Sequence, residues 1–396
     1  MNFLSFYNDL PEELEEIFSG VREEYERSGA FFLERSYILR LNSKFNLFPN
    51  IIDELLHASD ALRCDAESAA YALFVYRTLC RRELFDRYIQ LFDFDTDRHP
   101  YIALFILLPT VENTYADMVR RDLPEDIIEE YLCHYEECVA INEERHGYRG
   151  LEKRYFKWLL NYVDCKILNI DRLRFEIAKV ENPVYMLEHA CDGTRVLLYG
   201  GGEMKSDGML ASVPPHSDED GFFSSFSETD DEYIGNRILT SGRCSSERET
   251  FKKSEYRLII SPSDTCLSVH IPPRSKGPLT AEACDASYRR ALEIFREHYP
   301  ELDIKAIRCR SWMLSHELRE LLPPDSNIIT FQRKYALYPI NSGGNDVFTF
   351  VFRGFSGDTL DLPEETSLQR AIKRVYLDGG YIYESGGIFP VSDVNT

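Results

Sequence analysis

Two patterns of hydrophobic and polar positions divide the chain. Over residues 11–163, apolar residues recur three and four positions apart, which is the spacing of amphipathic helices. Breaks containing proline, aspartate or asparagine separate these helices at 48–50, 95–100 and 121–124. From Cys165 onward, short runs rich in β-branched and aromatic residues replace the helical spacing. The pattern predicts a helical domain over 1–150 and a sheet-containing domain over 151–396.

The element order between residues 256 and 352 indicates a mixed sheet. The predicted elements are strands at 256–262 and 266–271, a loop at 272–279, a helix at 280–299, a strand at 304–312, a short helix at 316–322, and strands at 328–338 and 347–352. Gly343 and Gly344 suit the bend of an antiparallel hairpin between the last two strands. Parallel pairing across the helix, combined with this hairpin, predicts an α+β fold rather than a doubly wound sheet.

The loop at 272–279 has the composition of an anion-binding turn. Pro272 and Pro273 exclude helix, and Gly277 permits the backbone angles that a tight turn needs. Thr280 can cap the following helix, and Glu282 suits its positive amino-terminal end. Because the amino terminus of a helix attracts phosphate, the sequence predicts a phosphate site here.

Two further segments carry weaker signals. Residues 203–254 are rich in Ser, Gly, Asp and Glu, which predicts an acidic, loop-rich insertion around a short element at Tyr233–Asn236. Its carboxylates either steer a cationic ligand or form an ordinary solvated surface. Near the carboxyl terminus, a helix over 368–377 precedes Tyr381–Glu384, which paired glycines flank as in a terminal hairpin.

Composition excludes several classes of protein. The chain has 396 residues, of which 44% are hydrophobic and 13% aromatic, so it can fill real cores. Its net charge of −22 argues against nucleic acid as a partner. The most apolar run, Tyr101–Leu108, is too short to cross a bilayer and predicts a buried helix. No secretory leader is recognisable, and the ten cysteines lack metal-ligand spacing, so we expect a cytoplasmic protein with reduced thiols and no metal.

Short strings in the second half also resemble a bacterial family of GNAT-like acyltransferase-domain proteins, which carry a helical amino-terminal domain. The strings are His270-Ile-Pro, Gly277-Pro-Leu-Thr280, Ser311-Trp312, Ser326-Asn-Ile328 and Phe331-Gln-Arg333. The resemblance spans most of residues 150–390. It implies an N-acyltransferase that uses acyl-CoA or acetyl-CoA and transfers the acyl group directly to a small-molecule or peptide amine. The alternative is a catalytically silent GNAT-like module that binds a ligand without turnover.

The resemblance also implies where CoA binds. The expected contacts are Ile271, Arg274, Ser275, Lys276, Gly277, Leu279 and Thr280. Two positions depart from the family pattern. Pro278 removes a backbone donor from the loop, and Arg310 stands where we expect His in relatives. The acceptor and the oligomeric state stay open.

Acyl transfer to an amine needs a base, a donor for the thioester oxygen and an acid for the departing thiolate. His270 is either the base or a structural residue that ties its strand to the loop, and Glu176 is the alternative base. Ser311 can protonate the thiolate through water. Trp312 either lines the acyl slot or packs in the core. The side chains of Asn327, Gln332 and Arg333 either orient acceptor or CoA, or belong to a turn and a solvent-facing strand.

Overall fold

The computed structural model describes residues 10–214, 220–272, 277–353, 355 and 357–394. It divides into two compact units, residues 1–168 and 169–396. The boundary predicted near residue 150 leaves helix Lys153–Val163 in the second domain, whereas contacts assign that helix to the first unit.

The first unit is helical, as the spacing of its apolar residues predicted. Its helices are α1 (Glu12–Ser28), α2 (Arg35–Phe45), α3 (Ile52–Arg63), α4 (Ala66–Leu79), α5 (Arg82–Tyr88), α6 (Ile102–Leu107), α7 (Val111–Arg120), α8 (Glu125–His146) and α9 (Lys153–Val163). Every residue of α6 is buried, which confirms the core helix expected at 101–108. The segment Ile102–Arg120 is long and apolar enough to cross a membrane, but 61% of it is buried inside the protein, as in a core helix.

The second unit contains two sheets. The main sheet has the order β1-β2-β10-β11-β13-β12. Its strands are Ile167–Ile170, Leu173–Lys179, Thr265–His270, Ile304–Ser311, Ser385–Pro390 and Ala336–Pro339, in that order. The second sheet has the order β5-β6-β7-β4-β3-β9, with β8 paired to β7. Its strands are β3 (Val184–His189), β4 (Arg195–Tyr199), β5 (Gly201–Met204), β6 (Phe222–Glu228), β7 (Glu232–Ile238), β8 (Cys244–Lys252) and β9 (Tyr256–Ile260).

Helix α10 (Ala281–His298) connects the parallel pair β10 and β11, and the neighbouring strands β2 and β13 are antiparallel to them. This mixed sheet with flanking helices confirms the α+β prediction. Helix α10 packs on one face, where the Tyr288 ring lies 6.1 Å from that of Phe175 and 5.4 Å from that of Phe389, between centroids. On the other face, apolar residues including Cys266 and Ala306 form one buried cluster with residues of the second sheet.

The hairpin predicted over 328–352 is wrong. After the short helix α11 (Leu318–Leu321), helix α12 (Asn327–Arg333) occupies most of the first predicted strand, and helix α13 (Asp346–Phe350) occupies most of the second. Ser326 caps α12, because its Oγ accepts a hydrogen bond from the N–H of Ile329 at 3.4 Å. The true partner of β12 is β13, some 50 residues later in the chain (Pro339 pairs with Ser385). The hairpin expected at Tyr381–Glu384 is also absent, since β13 begins after it; helix α14 (Ser367–Leu377) confirms the predicted helix.

The loop-rich prediction for residues 203–254 is also wrong, because β6, β7 and β8 fill much of this segment. One polar side chain of this segment forms hydrogen bonds between strands of the sheet. Asn236 is 1% exposed; its Oδ1 accepts from the N–H of Ser225 at 2.9 Å, and its Nδ2 donates to the carbonyl of Ser245 at 3.0 Å. The side chain thus ties three strands together. Many outward residues of β8 are exposed and charged, which gave this strand the composition of a loop.

Candidate functional site

The carboxyl ends of β10 and β11 lie side by side at one edge of the main sheet. Their paired residues end at Val269 and Cys309. Beyond these residues, β10 stays paired with β2 as far as His270, and β11 stays paired with β13 as far as Ser311. The last residues of β10 and β11 therefore lie beyond the end of the ladder that joins these two strands.

His270 and Glu176 form a hydrogen-bonded pair at this edge. The imidazole Nε2 lies 2.8 Å from a carboxylate oxygen of Glu176, and the two side chains are 33% and 24% exposed. Glu176 faces Ser268 across the ladder, and His270 follows Ser268 by two residues, so both side chains emerge on one face. When the carboxylate accepts Nε2–H, the lone pair of the imidazole is on Nδ1. The structure brings together the two residues that the sequence offered as alternative bases.

Ser311 ends β11 and begins the next turn. Its Oγ accepts a hydrogen bond from the N–H of Met313 at 3.1 Å and so caps the short 3₁₀ helix Trp312–Leu314. This bond uses the oxygen as an acceptor and leaves the hydroxyl hydrogen able to donate. The side chain is half-buried. Ser311 therefore has the chemistry of a proton donor at the carboxyl end of β11.

The loop after β10 leads into a capped helix, as expected. Gly277 has a φ of 95°, and among the described residues other than its chain neighbours no atom lies within 4 Å of the position a Cβ would take. Thr280 caps α10, because its hydroxyl accepts from the N–H of Ala283 at 3.2 Å. Ile271 is half-buried and Leu279 is buried. Three expected CoA contacts lie outside the described residues: Arg274, Ser275 and Lys276.

Two residues expected at the substrate site point into the protein. Trp312 is 7% exposed and packs in an apolar cluster with Leu318 and Ile329, which corresponds to the core alternative. Gln332 is fully buried; its Nε2 donates to the carbonyls of Met313 and Ser315, the latter at 2.7 Å, and its Oε1 accepts from Arg319. These contacts hold the turn that follows Ser311.

Asn327 and Arg333 occupy the first and last positions of α12. Both are exposed. They lie on a helix, not on the turn and strand that the sequence suggested.

The sequence analysis missed an acidic group at the same edge. Glu384 directly precedes β13, next to the Ser311–Ser385 pair, and its N–H donates to the Oγ of Ser342 at 2.9 Å. Burial raises the pKa of the Glu384 carboxyl and Asp346 raises it further, while Arg310 and a hydrogen bond with Ser342 oppose the shift. The sequence signal for this site is the pair of glycines that follows Glu384. A Cβ on Gly386 would come within 2.2 Å of the Tyr338 ring, and a glycine in such a close approach is typical of a strand inside a sheet.

These features define an α+β protein with a helix amino terminus suited to an anion and a histidine–carboxylate pair at the ends of neighbouring parallel strands. The sequence model of the GNAT-like C-terminal domain matches residues 167–389. Because this match covers more than half of the chain, the chain belongs to the family of proteins that carry this domain. No curated protein matches the chain significantly.

Solved structures of acyltransferases share the fold. One, in complex with CoA and 10C-teicoplanin, is 19% identical with a TM-score of 0.58; the match covers 90% of this chain and 88% of that one. A mutant acyltransferase in complex with octanoyl-CoA is 20% identical with a TM-score of 0.56, covering 86% and 83% of the two chains. An acyltransferase in complex with decanoyl-CoA and teicoplanin is 20% identical with a TM-score of 0.54, covering 84% and 83%. At these identities the likeness establishes the fold.

Proposed function

We propose that this protein is an acyl-CoA-dependent N-acyltransferase that transfers an acyl group directly to an amine. The observation that carries the proposal is the hydrogen-bonded pair of His270 and Glu176 at the end of β10, where the strand leads into the glycine loop and capped helix. In this proposal the phosphates of the donor bind at the helix amino terminus, and its thioester lies at the same edge of the sheet. Family membership and the CoA-bound structures of similar fold support this assignment.

The chemistry follows from the groups at this edge. The amine nitrogen attacks the thioester carbonyl while Nδ1 of His270 takes its proton, and Glu176 stabilises the imidazolium that forms. A new C–N bond forms, the C–S bond breaks, and the thiolate receives a proton from the Ser311 hydroxyl through water. The proton taken up by His270 passes through solvent to the Ser311 oxygen, which restores both side chains. No covalent enzyme intermediate is needed. The products are an amide and free CoA thiol.

The acceptor in this proposal is a small-molecule or peptide amine. Two of the structurally similar acyltransferases are in complex with teicoplanin or a derivative of it, which supports a small-molecule acceptor. The net charge of −22 favours a cationic acceptor over an anionic one. We place the protein in the cytoplasm, where acyl-CoA is available.

The test measures release of CoA thiol by a colorimetric thiol reagent. The purified protein is mixed with acetyl-, octanoyl- or decanoyl-CoA and with an amino sugar, a polyamine, a free amino acid or a short peptide. We expect thiol release that depends on one class of amine and exceeds the hydrolysis seen without amine. Mass spectrometry should find the matching amide.

A silent binding module is the second candidate, and one observation favours it. Pro278 directly follows Gly277 and has no N–H, so the loop has one backbone donor fewer for phosphate. Saturable binding of acyl-CoA without thiol release to any amine would support the silent module and contradict the enzyme.

A further inference from the structure

The hydroxyl of Tyr338 is buried without a hydrogen-bond partner. Tyr338 is 1% exposed, and its hydroxyl forms no hydrogen bond with another described residue. A neighbouring pair of buried tyrosines differs, because the hydroxyl oxygens of Tyr288 and Tyr335 lie 2.8 Å apart. Burial of a hydroxyl without a partner is costly. The Tyr338 hydroxyl is therefore available to donate a hydrogen bond to a bound ligand.

The ring of Tyr338 lies across the neighbouring strand β13. Tyr338 pairs with Gly386, which pairs on its other side with Arg310 of β11. A Cβ on Gly386 would lie 2.3 Å from Cζ, the ring carbon that carries the hydroxyl. The glycine thus leaves the space that the ring occupies, and the hydroxyl lies over β13. Burial raises the pKa of Tyr338, against the opposing charges of Arg308 and Arg310, so the hydroxyl stays protonated at neutral pH.

Arg310, which departs from the family pattern, supplies a second donor at this place. It is exposed and forms no hydrogen bond or ion pair with any residue that the structure describes. The preceding arginine on the same face of β11, Arg308, lies 3.2 Å from a carboxylate oxygen of Glu181. The charge of Arg310 acts on both Tyr338 and Glu384, where it opposes the rise in pKa that burial causes. The guanidinium is therefore close to the Tyr338 hydroxyl at the carboxyl end of β11.

Tyr338 and Arg310 share a face of the main sheet with His270. Cys266 and Ala306 belong, with Tyr338, to the buried cluster on the face toward the second sheet. His270 follows Cys266 by four residues, and Arg310 follows Ala306 by four, so alternation along each strand places both on that face. Two strand intervals, about 10 Å, separate β13 from β10. This width can hold a thioester group between the imidazole and the tyrosine hydroxyl.

We propose that the Tyr338 hydroxyl, assisted by the Arg310 guanidinium, donates a hydrogen bond to the carbonyl oxygen of the bound thioester. This role rests on the proposed function, in which His270 is the base and Ser311 the acid. When the amine attacks, the π electrons of the carbonyl move to its oxygen, and the two donors stabilise the negative charge. As the C–S bond breaks, this electron pair forms the carbonyl again, so Tyr338 keeps its proton throughout.

Infrared difference spectroscopy tests the contact directly. Octanoyl-CoA with an isotopic label at the thioester carbonyl is bound to wild type and to Tyr338→Phe, which removes only the hydroxyl. A donated hydrogen bond weakens the C=O bond and lowers its stretching frequency. We expect a lowered frequency in wild type and a shift back toward that of free octanoyl-CoA in the variant. Equal frequencies in the two proteins would overturn the inference.

Release of CoA thiol gives a second readout. Removing one donor to an oxyanion typically lowers kcat by about 10²- to 10³-fold, and we expect a loss in this range for Tyr338→Phe, with little change in the KM for acyl-CoA. Arg310→Gln should lower kcat by about 10-fold, and Arg310→Lys should lower it less because the charge remains. The matched control Tyr335→Phe removes a buried hydroxyl that is already bonded to Tyr288, so its kcat should stay within about twofold of wild type.

The melting temperature separates a catalytic hydroxyl from a structural one. Because the Tyr338 hydroxyl has no partner to lose, Tyr338→Phe should melt at the same temperature as wild type or higher, whereas Tyr335→Phe should melt lower. A lower melting temperature of Tyr338→Phe with unchanged kcat and carbonyl frequency would overturn the inference. If Tyr338→Phe does not fold, the carbonyl frequency in Arg310→Gln decides, since a value equal to that of wild type would also overturn it.

The two measurements also separate this inference from the proposed function. An unchanged frequency and kcat in Tyr338→Phe refute the carbonyl contact and leave the acyltransferase intact. A frequency that depends on Tyr338, in a protein that transfers the acyl group to no amine, supports the contact and refutes the transferase. If wild type does not bind octanoyl-CoA at millimolar concentration, both are refuted.

Discussion

The pair of His270 and Glu176 supports a quantitative prediction about catalysis. Replacing His270 with Asn removes the proton-accepting nitrogen but keeps a side chain of similar polarity. General base catalysis typically contributes about 10²- to 10⁴-fold, or about 3–5 kcal/mol of transition-state stabilisation. We expect kcat to fall by that factor, with little change in the affinity for acyl-CoA because neither side chain belongs to the phosphate end of the site.

Glu176 acts through His270, so replacing Glu176 should lower kcat less than replacing His270 does. Glu176→Gln keeps the shape of the side chain but loses the charge that stabilises the imidazolium across a 2.8 Å hydrogen bond. The two side chains are 33% and 24% exposed, so we expect the lost hydrogen bond to raise the activation free energy by about 1–2 kcal/mol. This predicts a decrease in kcat of about 5- to 30-fold. In the double variant the losses should not add, because Glu176 has no imidazolium to stabilise.

Release of CoA thiol under saturating donor provides the assay. A matched control exists in the second sheet, where His189 Nδ1 lies 2.8 Å from a carboxylate oxygen of Asp192. His189→Asn removes an equivalent pair away from the proposed site and should leave kcat unchanged. A kcat within twofold of wild type in His270→Asn, or equal losses in the His189 and His270 variants, would refute the catalytic role.

The remaining predictions concern stability, measured by chemical denaturation. Arg40 contacts Glu112 through two hydrogen bonds of 2.9 and 3.0 Å and lowers the pKa of that carboxyl to about 2. Glu112→Gln should therefore lower the free energy of unfolding by about 1 kcal/mol at pH 7. The difference in stability between the variant and wild type should vanish as pH falls from about 4.5 to 2, and a difference independent of pH would contradict this. Gly386→Ala should cost about 2–3 kcal/mol because its Cβ would meet an aromatic ring at 2.2 Å, whereas Gly20→Ala in α1 meets nothing within 4 Å and should be neutral or stabilising. Burial holds the pKa of Glu384 above its unfolded value, so the folded state binds this proton more tightly and stability falls as pH rises through that window. Glu384→Gln should thus stabilise the protein at pH 8 but not at pH 3, and equal effects at both would contradict the account.

Local signals in the sequence located part of the site. Gly277 has the positive φ that the turn requires, and Thr280 caps the helix that was expected to follow. Both depend on contacts within a few residues, so the sequence contains the information directly. The parallel pairing of β10 with β11 was also predictable, because a strand–helix–strand unit of this length favours it.

Other features depend on partners that are distant in the chain. β13 is the neighbour of both β11 and β12, and nothing local to 336–352 indicates that its partner lies after residue 384. Glu384 could not be assigned to the site from the sequence for the same reason, because its position follows from the pairing of β13 with β11.

Calorimetric titration of the wild-type protein with octanoyl-CoA, with free CoA as the comparison, tests the central claim most directly. We predict saturable binding of one acyl-CoA per chain with a dissociation constant in the micromolar range or tighter, about −8 kcal/mol or more favourable. No heat of binding from either compound at millimolar concentration, with a folded and stable sample, would contradict the assignment of this protein as an acyl-CoA-dependent transferase.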